Sequence, residues 1–168
     1  MNYKDGNESA DLCFRPATEV DTETLFRVYA STRIEELAVT GWTEEQLGIF
    51  LNMQFRLQQA QYMHNYPGAS FDVVLLGGKP AGRLYVQRTD RDMRIIDITL
   101  LPESRRRGIG GLILRGLIEE AEAKGLTMSL HVEMSNPIRT FYERLGFRAK
   151  DMKGIYYSME RRSNRPGS

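Results

Sequence analysis

The chain has 168 residues, of which 41% are hydrophobic and 27% charged, and its formal net charge is +1 at pH 7. This composition is typical of a soluble globular protein, and no apolar run approaches the ~20 residues that a membrane span needs. The near-zero net charge gives no general electrostatic case for nucleic acid, so we expect neither nucleic acid nor a membrane among the partners.

The length predicts a single domain over residues 1–168, with residues 1–10 and 163–168 as flexible tails. Cys13 is the only cysteine, which excludes an internal disulfide and favours a reducing, cytoplasmic location. The polar and acidic start does not have the pattern of a signal peptide. Because His64 and His131 are the only histidines, the sequence offers no cluster of zinc ligands, and we expect no metal site.

The first half of the chain predicts a short strand, two helices and a hairpin. Apolar residues at helical spacing, such as Leu25 and Val28, mark the first helix, and the second opens on a capping box from Thr43 to Gln46. The expected elements are a strand at 12–15, helices at 22–37 and from 44 to about 62, and hairpin strands at 71–76 and 81–87.

A strand, a turn and a helix follow between residues 93 and 124. The strand is apolar and β-branched, and Pro102 cannot continue its hydrogen-bond ladder. After the turn, Ile109, Ile113 and Leu117 recur at helical spacing, and Gly125 is placed to end that helix. The turn is therefore a helix start, which carries unpaired N–H groups and a partial positive charge.

The turn between this strand and helix is rich in arginine and glycine. Three consecutive arginines at a helix start are unfavourable by about 0.3–1 kcal/mol unless an anion is bound there. Glycines in the same turn let a ligand approach the backbone closely, so the turn predicts a phosphate site; the alternative is an ordinary solvated basic turn. Neither the phosphate-loop pattern with Lys-Ser or Lys-Thr nor the complete G-x-G-x-x-G pattern is present, since Ile113 stands where its third glycine belongs.

The last third of the chain predicts a strand at 128–132, a helix at 137–145 and strands at 147–152 and 155–159. Ser135 or Asn136 is expected to cap the helix, and Gly146 to end it. Strands joined through a helix favour a parallel pair, whereas hairpins favour antiparallel neighbours. The sheet should therefore be mixed.

Two motifs resemble those of the GCN5-related N-acetyltransferase (GNAT) family. Residues 105–110, Arg-Arg-Arg-Gly-Ile-Gly, are similar to the family motif whose backbone N–H groups hold the pyrophosphate of acetyl-CoA. Residues 136–147, Asn-Pro-Ile-Arg-Thr-Phe-Tyr-Glu-Arg-Leu-Gly-Phe, resemble its second signature. The resemblance implies an α/β fold with a mixed, mainly antiparallel sheet of six to seven strands, about four helices and a splayed parallel strand pair.

The same resemblance implies acetyl-CoA as cosubstrate. The residues that it assigns to acetyl-CoA are Leu100 and Leu101 through their backbones, Arg105, Arg106, Arg107, Gly108, Ile109, Gly110, Gly111 and Asn136. A backbone N–H near Leu101 would then stabilise the oxyanion of the reaction.

The resemblance also assigns the reaction chemistry. Tyr142 matches the family tyrosine that serves the departing thiolate, with a packing tyrosine as the alternative. Arg94 falls where some members carry a glutamate that acts as the general base. This leaves Glu133 and Asp97 as the residues that would assist a water-mediated deprotonation. The implied function is acetyl transfer to a primary amine of a small molecule or peptide; a non-catalytic acyl-CoA-binding regulatory domain is the alternative, and a homodimer is left open.

Overall fold

The computed structural model describes residues 11–165, so the tail predicted at 1–10 and the last three residues of the tail predicted at 163–168 lie outside the described residues. The described residues form four α-helices and seven strands, which are numbered here in chain order. They are β1 Leu12–Pro16, α1 Thr22–Leu37, α2 Glu44–Asn65, β2 Ser70–Leu76, β3 Lys79–Arg88, β4 Asp92–Leu100, α3 Ile109–Lys124, β5 Thr127–Glu133, α4 Ile138–Arg144, β6 Arg148–Lys153 and β7 Tyr156–Arg161. No helix in this described part is long and apolar enough to cross a membrane.

The strands follow the order β1-β2-β3-β4-β5-β7-β6 in the described sheet. Three pairs of strands are antiparallel: β1 with β2, β5 with β7, and β6 with β7. β4 and β5 are parallel, and their ladder covers the first three residues of each strand, Asp92–Arg94 and Thr127–Ser129. The predicted mixed, mainly antiparallel fold is confirmed, and the helix boundaries lie within a few residues of those expected.

The chain divides into two compact units. The first contains Met1–Tyr85 and Asp97–Gly110, and the second contains Val86–Ile96 and Gly111–Ser168. The core of the first unit joins both early helices to β2 through Leu25, Tyr29, Leu51, Phe55 and Val73. The capping box that opens α2 is formed as predicted: the Gln46 N–H donates to the Thr43 hydroxyl, and the Thr43 N–H donates to the Gln46 side chain.

The core of the second unit follows the two periodicities of its elements. Alternate residues of β5, Met128, Leu130 and Val132, are buried, while Ile113 and Leu117 are buried at helical spacing on α3. The intervening residues of β5 therefore lie on the other, more polar face of the strand. The chain stays attached beyond β7, because the Ser163 hydroxyl and the Asn164 N–H both donate to Glu122.

Candidate active site

The turn between β4 and α3 has an unusual backbone. Pro102–Ser104 forms a short 3-10 helix, which the sequence did not predict. Arg106 then adopts a φ of 59° and Gly108 a φ of 74°. A non-glycine residue in this left-handed region is strained, and such strain is concentrated at ligand-binding and catalytic sites. Residues that alternate in this way turn successive N–H groups toward one side, a geometry that suits an anion.

The first turn of α3 adds further donors to this turn. The N–H groups of Ile109, Gly110 and Gly111 have no intrahelical acceptor, and the helix dipole places a partial positive charge there. A Cβ added at Gly108 or Gly110 would meet no atom within 4 Å. The space in front of both glycines is therefore open.

Gly110 is the more informative of the two glycines. Gly108 needs glycine because of its positive φ, but Gly110 is not among the residues with positive φ. Packing does not require glycine at position 110 either, since its Cβ position is unobstructed. Glycine weakens a helix by roughly 0.5–1 kcal/mol relative to alanine, so neither backbone conformation nor packing accounts for the glycine at 110, and its missing side chain leaves the backbone of the turn open.

Arg105 does not face the open side of the turn. Its Nε donates to the Leu100 carbonyl at 2.9 Å, and its Nη2 donates to the Ser31 hydroxyl at 2.9 Å. These contacts brace the turn against β4 and α1, and the side chains of Arg106 and Arg107 are exposed. The expectation of a phosphate contact for Arg105 therefore conflicts with the partners that its guanidinium already has.

The backbone roles expected of Leu100 and Leu101 meet the same difficulty. The Leu101 N–H donates to the Ala81 carbonyl at 2.8 Å, so it is already paired with β3 and is not available to an oxyanion in this arrangement. The Leu100 carbonyl accepts from Arg105. Gly82 explains why β3 comes so close, because a Cβ at that position would lie 2.3 Å from the Thr99 carbonyl oxygen.

Arg115 is a residue near the helix start that sequence reasoning missed. Its guanidinium folds back along α3, so that a Cβ on Gly111 would lie 3.5 Å from Nη1. An exposed cation thus lies over the first turn of the helix, where a bound anion would favour it. The i, i+4 spacing of Gly111 and Arg115 was the signal that would have revealed it.

Asp97 lies in a buried polar network of the first unit. Arg83, 1% exposed, donates to both of its carboxylate oxygens at 2.8 and 3.2 Å, and the Thr99 hydroxyl donates at 2.7 Å. The Tyr62 hydroxyl donates to it at 3.3 Å, and burial, assisted by the Asp97 charge, raises the pKa of Tyr62. Because this carboxylate accepts four hydrogen bonds within the fold, the geometry favours a structural role for Asp97 over that of a base.

Glu133 is in a different situation, at the end of β5 in the second unit. It is half-buried, and its recorded side-chain partner is the Ser135 hydroxyl at 3.5 Å, the outer limit of a hydrogen bond. None of the ion pairs among the described residues involves Glu133. The Glu133 carboxylate therefore has one weak hydrogen bond and no ion-pair partner among the described residues.

Asn136 lies just before α4, and Tyr142 lies on that helix. The Asn136 side-chain oxygen accepts from the Ile138 N–H, the first of α4, at 3.0 Å, although Pro137 rather than Asn136 is the residue directly before the helix, and Asn136 is exposed. Tyr142 is 6% exposed, and its ring packs edge-on against Phe147 at 5.7 Å. Packing thus fixes the ring of Tyr142, and an acid role would rest on its hydroxyl group.

The expected site residues thus fall into two groups. Asp97, Leu100, Leu101 and residues 105–110 belong to the first unit, whereas Gly111, Glu133, Asn136 and Tyr142 belong to the second. Within the first unit, the turn combines two residues of positive φ with the start of α3. Within the second unit, Glu133 lies at the end of β5, Asn136 precedes α4, and the buried Tyr142 lies on α4.

Comparison with known proteins gives a consistent assignment. The family model described as "Acetyltransferase (GNAT) family" matches residues 32–147. A [Ribosomal protein bS18]-alanine N-acetyltransferase of Haemophilus influenzae is 38% identical over 64 residues, which are 38% of this chain and 44% of that protein, so the match spans less than half of the relative's length.

Two solved structures share the fold. PaiA N-acetyltransferase of Thermoplasma acidophilum, in complex with coenzyme A, superposes with a TM-score of 0.66 at 20% identity and covers 90% of this chain and 98% of its own. The ribosomal-protein-S18-alanine N-acetyltransferase of Escherichia coli gives a TM-score of 0.62 at 18% identity, over 93% and 96% of the two chains. At these identities the likeness establishes the fold.

Proposed function

This chain belongs to the acetyltransferase (GNAT) family, and from that premise we propose that it transfers the acetyl group of acetyl-CoA to a primary amine of a small molecule or peptide. The observation that carries the proposal is the turn from Arg105 to Gly111, where a strained residue, two unobstructed glycines and a helix start coincide. The Haemophilus relative is named for acetylating an alanine of a ribosomal protein, which supports a peptide amine as one class of acceptor.

In this proposal the diphosphate of acetyl-CoA binds to the N–H groups of residues 108–111. The backbone donors supply short, directed hydrogen bonds, and Arg106, Arg107 and Arg115 supply positive charge. Arg105 holds the turn in place through Leu100 and Ser31 and is a positioning residue. Asn136 would contact the pantetheine arm with its amide NH₂ while its oxygen caps α4.

Acetyl transfer then requires three events. The amine must lose a proton to expose its lone pair, its nitrogen forms a bond to the thioester carbonyl carbon, and the C–S bond breaks as the tetrahedral intermediate collapses. We assign the first proton to Glu133, directly or through water, because its carboxylate lacks a cationic partner. Asp97 keeps a supporting part, since it holds Arg83 and Tyr62 in the first unit.

Tyr142 serves the leaving group in this scheme. A thiol has a pKa of about 8.5 and a phenol one of about 10, so complete proton transfer to the thiolate is uphill by roughly 2 kcal/mol. A hydrogen bond that strengthens as the C–S bond breaks is therefore sufficient. Attack by the neutral amine leaves a second proton on its nitrogen, and the thiolate takes that proton as the tetrahedral intermediate collapses, so that CoA leaves as a thiol and Tyr142 keeps its own proton.

We also propose that residues 1–168 act as a single domain. The boundaries between the two compact units fall inside three elements, β3, β4 and α3. Neither unit is therefore made of whole secondary-structure elements. A single cooperative unfolding transition, seen by both tryptophan fluorescence and circular dichroism, would support this proposal; two separated transitions would contradict it.

The experiment that tests the function is an amine panel. Purified protein is incubated with acetyl-CoA and individual primary amines, thiol release is followed, and the acetylated product is identified by mass spectrometry. Thiol release that depends on the amine, with a matching acetylated product, is the expected result. Saturable binding of acetyl-CoA without transfer to any amine would instead favour a non-catalytic regulatory domain.

A further inference from the structure

Arg94 is an unpaired cation within the second unit. The other described arginines that are buried or half-buried each form an ion pair with a carboxylate: Arg15 with Asp21, Arg33 with Glu36, Arg83 with Asp97, Arg139 with Glu143 and Arg161 with Glu122. Arg94 is half-buried on β4 and has no carboxylate partner among the described residues. A guanidinium partly removed from water without a counter-charge is unfavourable, so its place in a strand calls for an explanation.

The contacts of Arg94 are with neutral groups on β5. Its Nη1 donates to the Ser129 hydroxyl at 3.3 Å and its Nη2 to Nδ1 of His131 at 2.7 Å, while its Nε is buried without a partner. Because Nδ1 accepts this hydrogen bond, the neutral imidazole carries its proton on Nε2. His131 is exposed, so its Nε2–H extends the row of donors towards solvent.

Charged groups of both signs surround this pair: Lys153 is positive, and the carboxylates of Asp92 and Glu133 lie two residues from Arg94 and His131 on the same strand faces. Partial burial lowers the pKa of His131, and the charges of Arg94 and Lys153 lower it further. A third carboxylate, that of Glu160, belongs to the residue paired with Ser129 across β5 and β7. That carboxylate is already bonded to Lys150 at 3.0 Å and to Arg162 at 3.1 Å, so its charge is compensated.

The pair lies at a defined spacing from the candidate base. Ser129, His131 and Glu133 alternate along β5 and share one face of it. At a rise of about 3.3 Å per residue, Glu133 is roughly 7 Å from His131 and roughly 13 Å from Ser129 along the strand. A molecule whose amine meets Glu133 would therefore bring a group about 7–13 Å away to the Arg94 and His131 donors.

We propose that Arg94 and His131 bind a carboxylate of the acceptor, and that the acceptors are primary amines that carry a carboxylate at this distance. The inference rests on the proposed function, because the amine end is placed at Glu133. It makes Arg94 a specificity-determining residue. It also explains why β4 carries an arginine at the position where the family resemblance would place a glutamate that acts as the base.

A matched pair of acceptors tests the proposal. 6-Aminohexanoate and 6-aminohexanamide have the same length and differ in charge. The wild-type protein should show kcat/KM at least about 10-fold higher for the acid, the factor expected of one charge-assisted hydrogen bond. Arg94→Gln should bring the ratio close to one by lowering kcat/KM for the acid, and Arg94→Lys should retain part of the preference. Equal use of acid and amide by the wild type, or an unchanged ratio in Arg94→Gln, would overturn it.

Ring NMR of the two histidines provides a test that does not depend on turnover. The proposal predicts that 6-aminohexanoate shifts the His131 ring resonances saturably, that 6-aminohexanamide does not, and that His64, exposed at the far end of α2, serves as the internal control. If no amine is acetylated, the proposed function fails while this titration still decides the carboxylate site. No shift of His131 with the acid, or the same shift in Arg94→Gln, would overturn the inference even in an active enzyme.

Discussion

Replacing Gly110 should stabilise the free protein and weaken its binding of acetyl-CoA. Gly110 lies in the first turn of α3, is not among the residues with positive φ, and has open space where a Cβ would stand. Gly110→Asp therefore introduces no clash. It removes the entropic cost of a helical glycine and places a negative charge at the positive end of the helix, which together should raise the free energy of unfolding by about 0.5–1.5 kcal/mol.

The same aspartate would oppose the ligand. A carboxylate about 5 Å from one phosphate charge is repelled by roughly 0.8–3 kcal/mol, depending on whether the effective dielectric constant is close to that of water or of a protein surface. Its side chain also fills the space through which the phosphate would reach the backbone. We expect the Kd for acetyl-CoA to rise by about 10- to 100-fold, a loss of about 1.4–2.7 kcal/mol of binding free energy.

Gly48 supplies the matched control. It lies in α2, lacks a positive φ, and has equally open space at its Cβ position. Gly48→Ala should therefore stabilise the protein by about 0.5–1 kcal/mol and leave the affinity for acetyl-CoA unchanged. Urea denaturation gives the stabilities and isothermal titration calorimetry the affinities. An unaltered Kd in Gly110→Asp would refute the assignment of this turn to phosphate.

The remaining predictions concern individual carboxyl and phenol groups. Tyr142→Phe should lower kcat by about 10-fold or more with acetyl-CoA affinity nearly unchanged, and unaltered turnover would return Tyr142 to packing alone. Glu133→Gln should lower the rate about 100-fold, with the largest loss at low pH, where fewer amines are deprotonated; a pH profile identical to the wild type would remove this role. Asp97→Asn should cost about 3–5 kcal/mol of stability in urea denaturation, because it leaves a buried guanidinium without its counter-charge. Wild-type stability with lost turnover would instead make Asp97 the base. Hydrogen bonds from an arginine and from the backbone hold the pKa of Asp21 well below its ordinary value, so its contribution to stability is present above about pH 4 and is lost as the pH falls further. Asp21→Asn should therefore be less stable than wild type at pH 7, and the gap should narrow in acid; a gap independent of pH would contradict this.

Local sequence signals predicted the elements well because each depends on neighbouring residues. The α2 capping box needs only Thr43 and Gln46, three positions apart, and it is formed as expected. The end of α3 is similar: Gly125 has a φ of 66°, the left-handed conformation predicted for it.

Long-range pairing could not be read in the same way. Nothing in the sequence shows that β7 lies between β5 and β6. The ion pair of Arg83 and Asp97 joins two strands, and without it Asp97 reads as a free carboxylate on β4. The pairing of the Leu101 N–H with Ala81 is likewise a property of the assembled sheet.

The arginines of the turn show the same limit within a few residues. The run from Arg105 to Arg107 predicted three equivalent phosphate ligands, yet Arg105 is held by Leu100 and Ser31. Whether a long, flexible cation faces a ligand or its own chain depends on which acceptors the fold places within its reach. The glycines of the turn are easier to interpret from the sequence than its arginines, because a residue without a side chain has no side-chain direction for the fold to decide.

The central claim is that the turn at residues 105–111 binds the diphosphate of acetyl-CoA. The most direct measurement is calorimetric titration of the wild-type protein with acetyl-CoA and with S-acetylpantetheine, which has the same acetyl-thioester arm without the nucleotide diphosphate. We predict saturable binding of acetyl-CoA and affinity for the fragment weaker by at least about 100-fold, the loss expected when two or more charge-assisted hydrogen bonds are removed. Absence of acetyl-CoA binding, or equal affinity for the two molecules, would contradict the account.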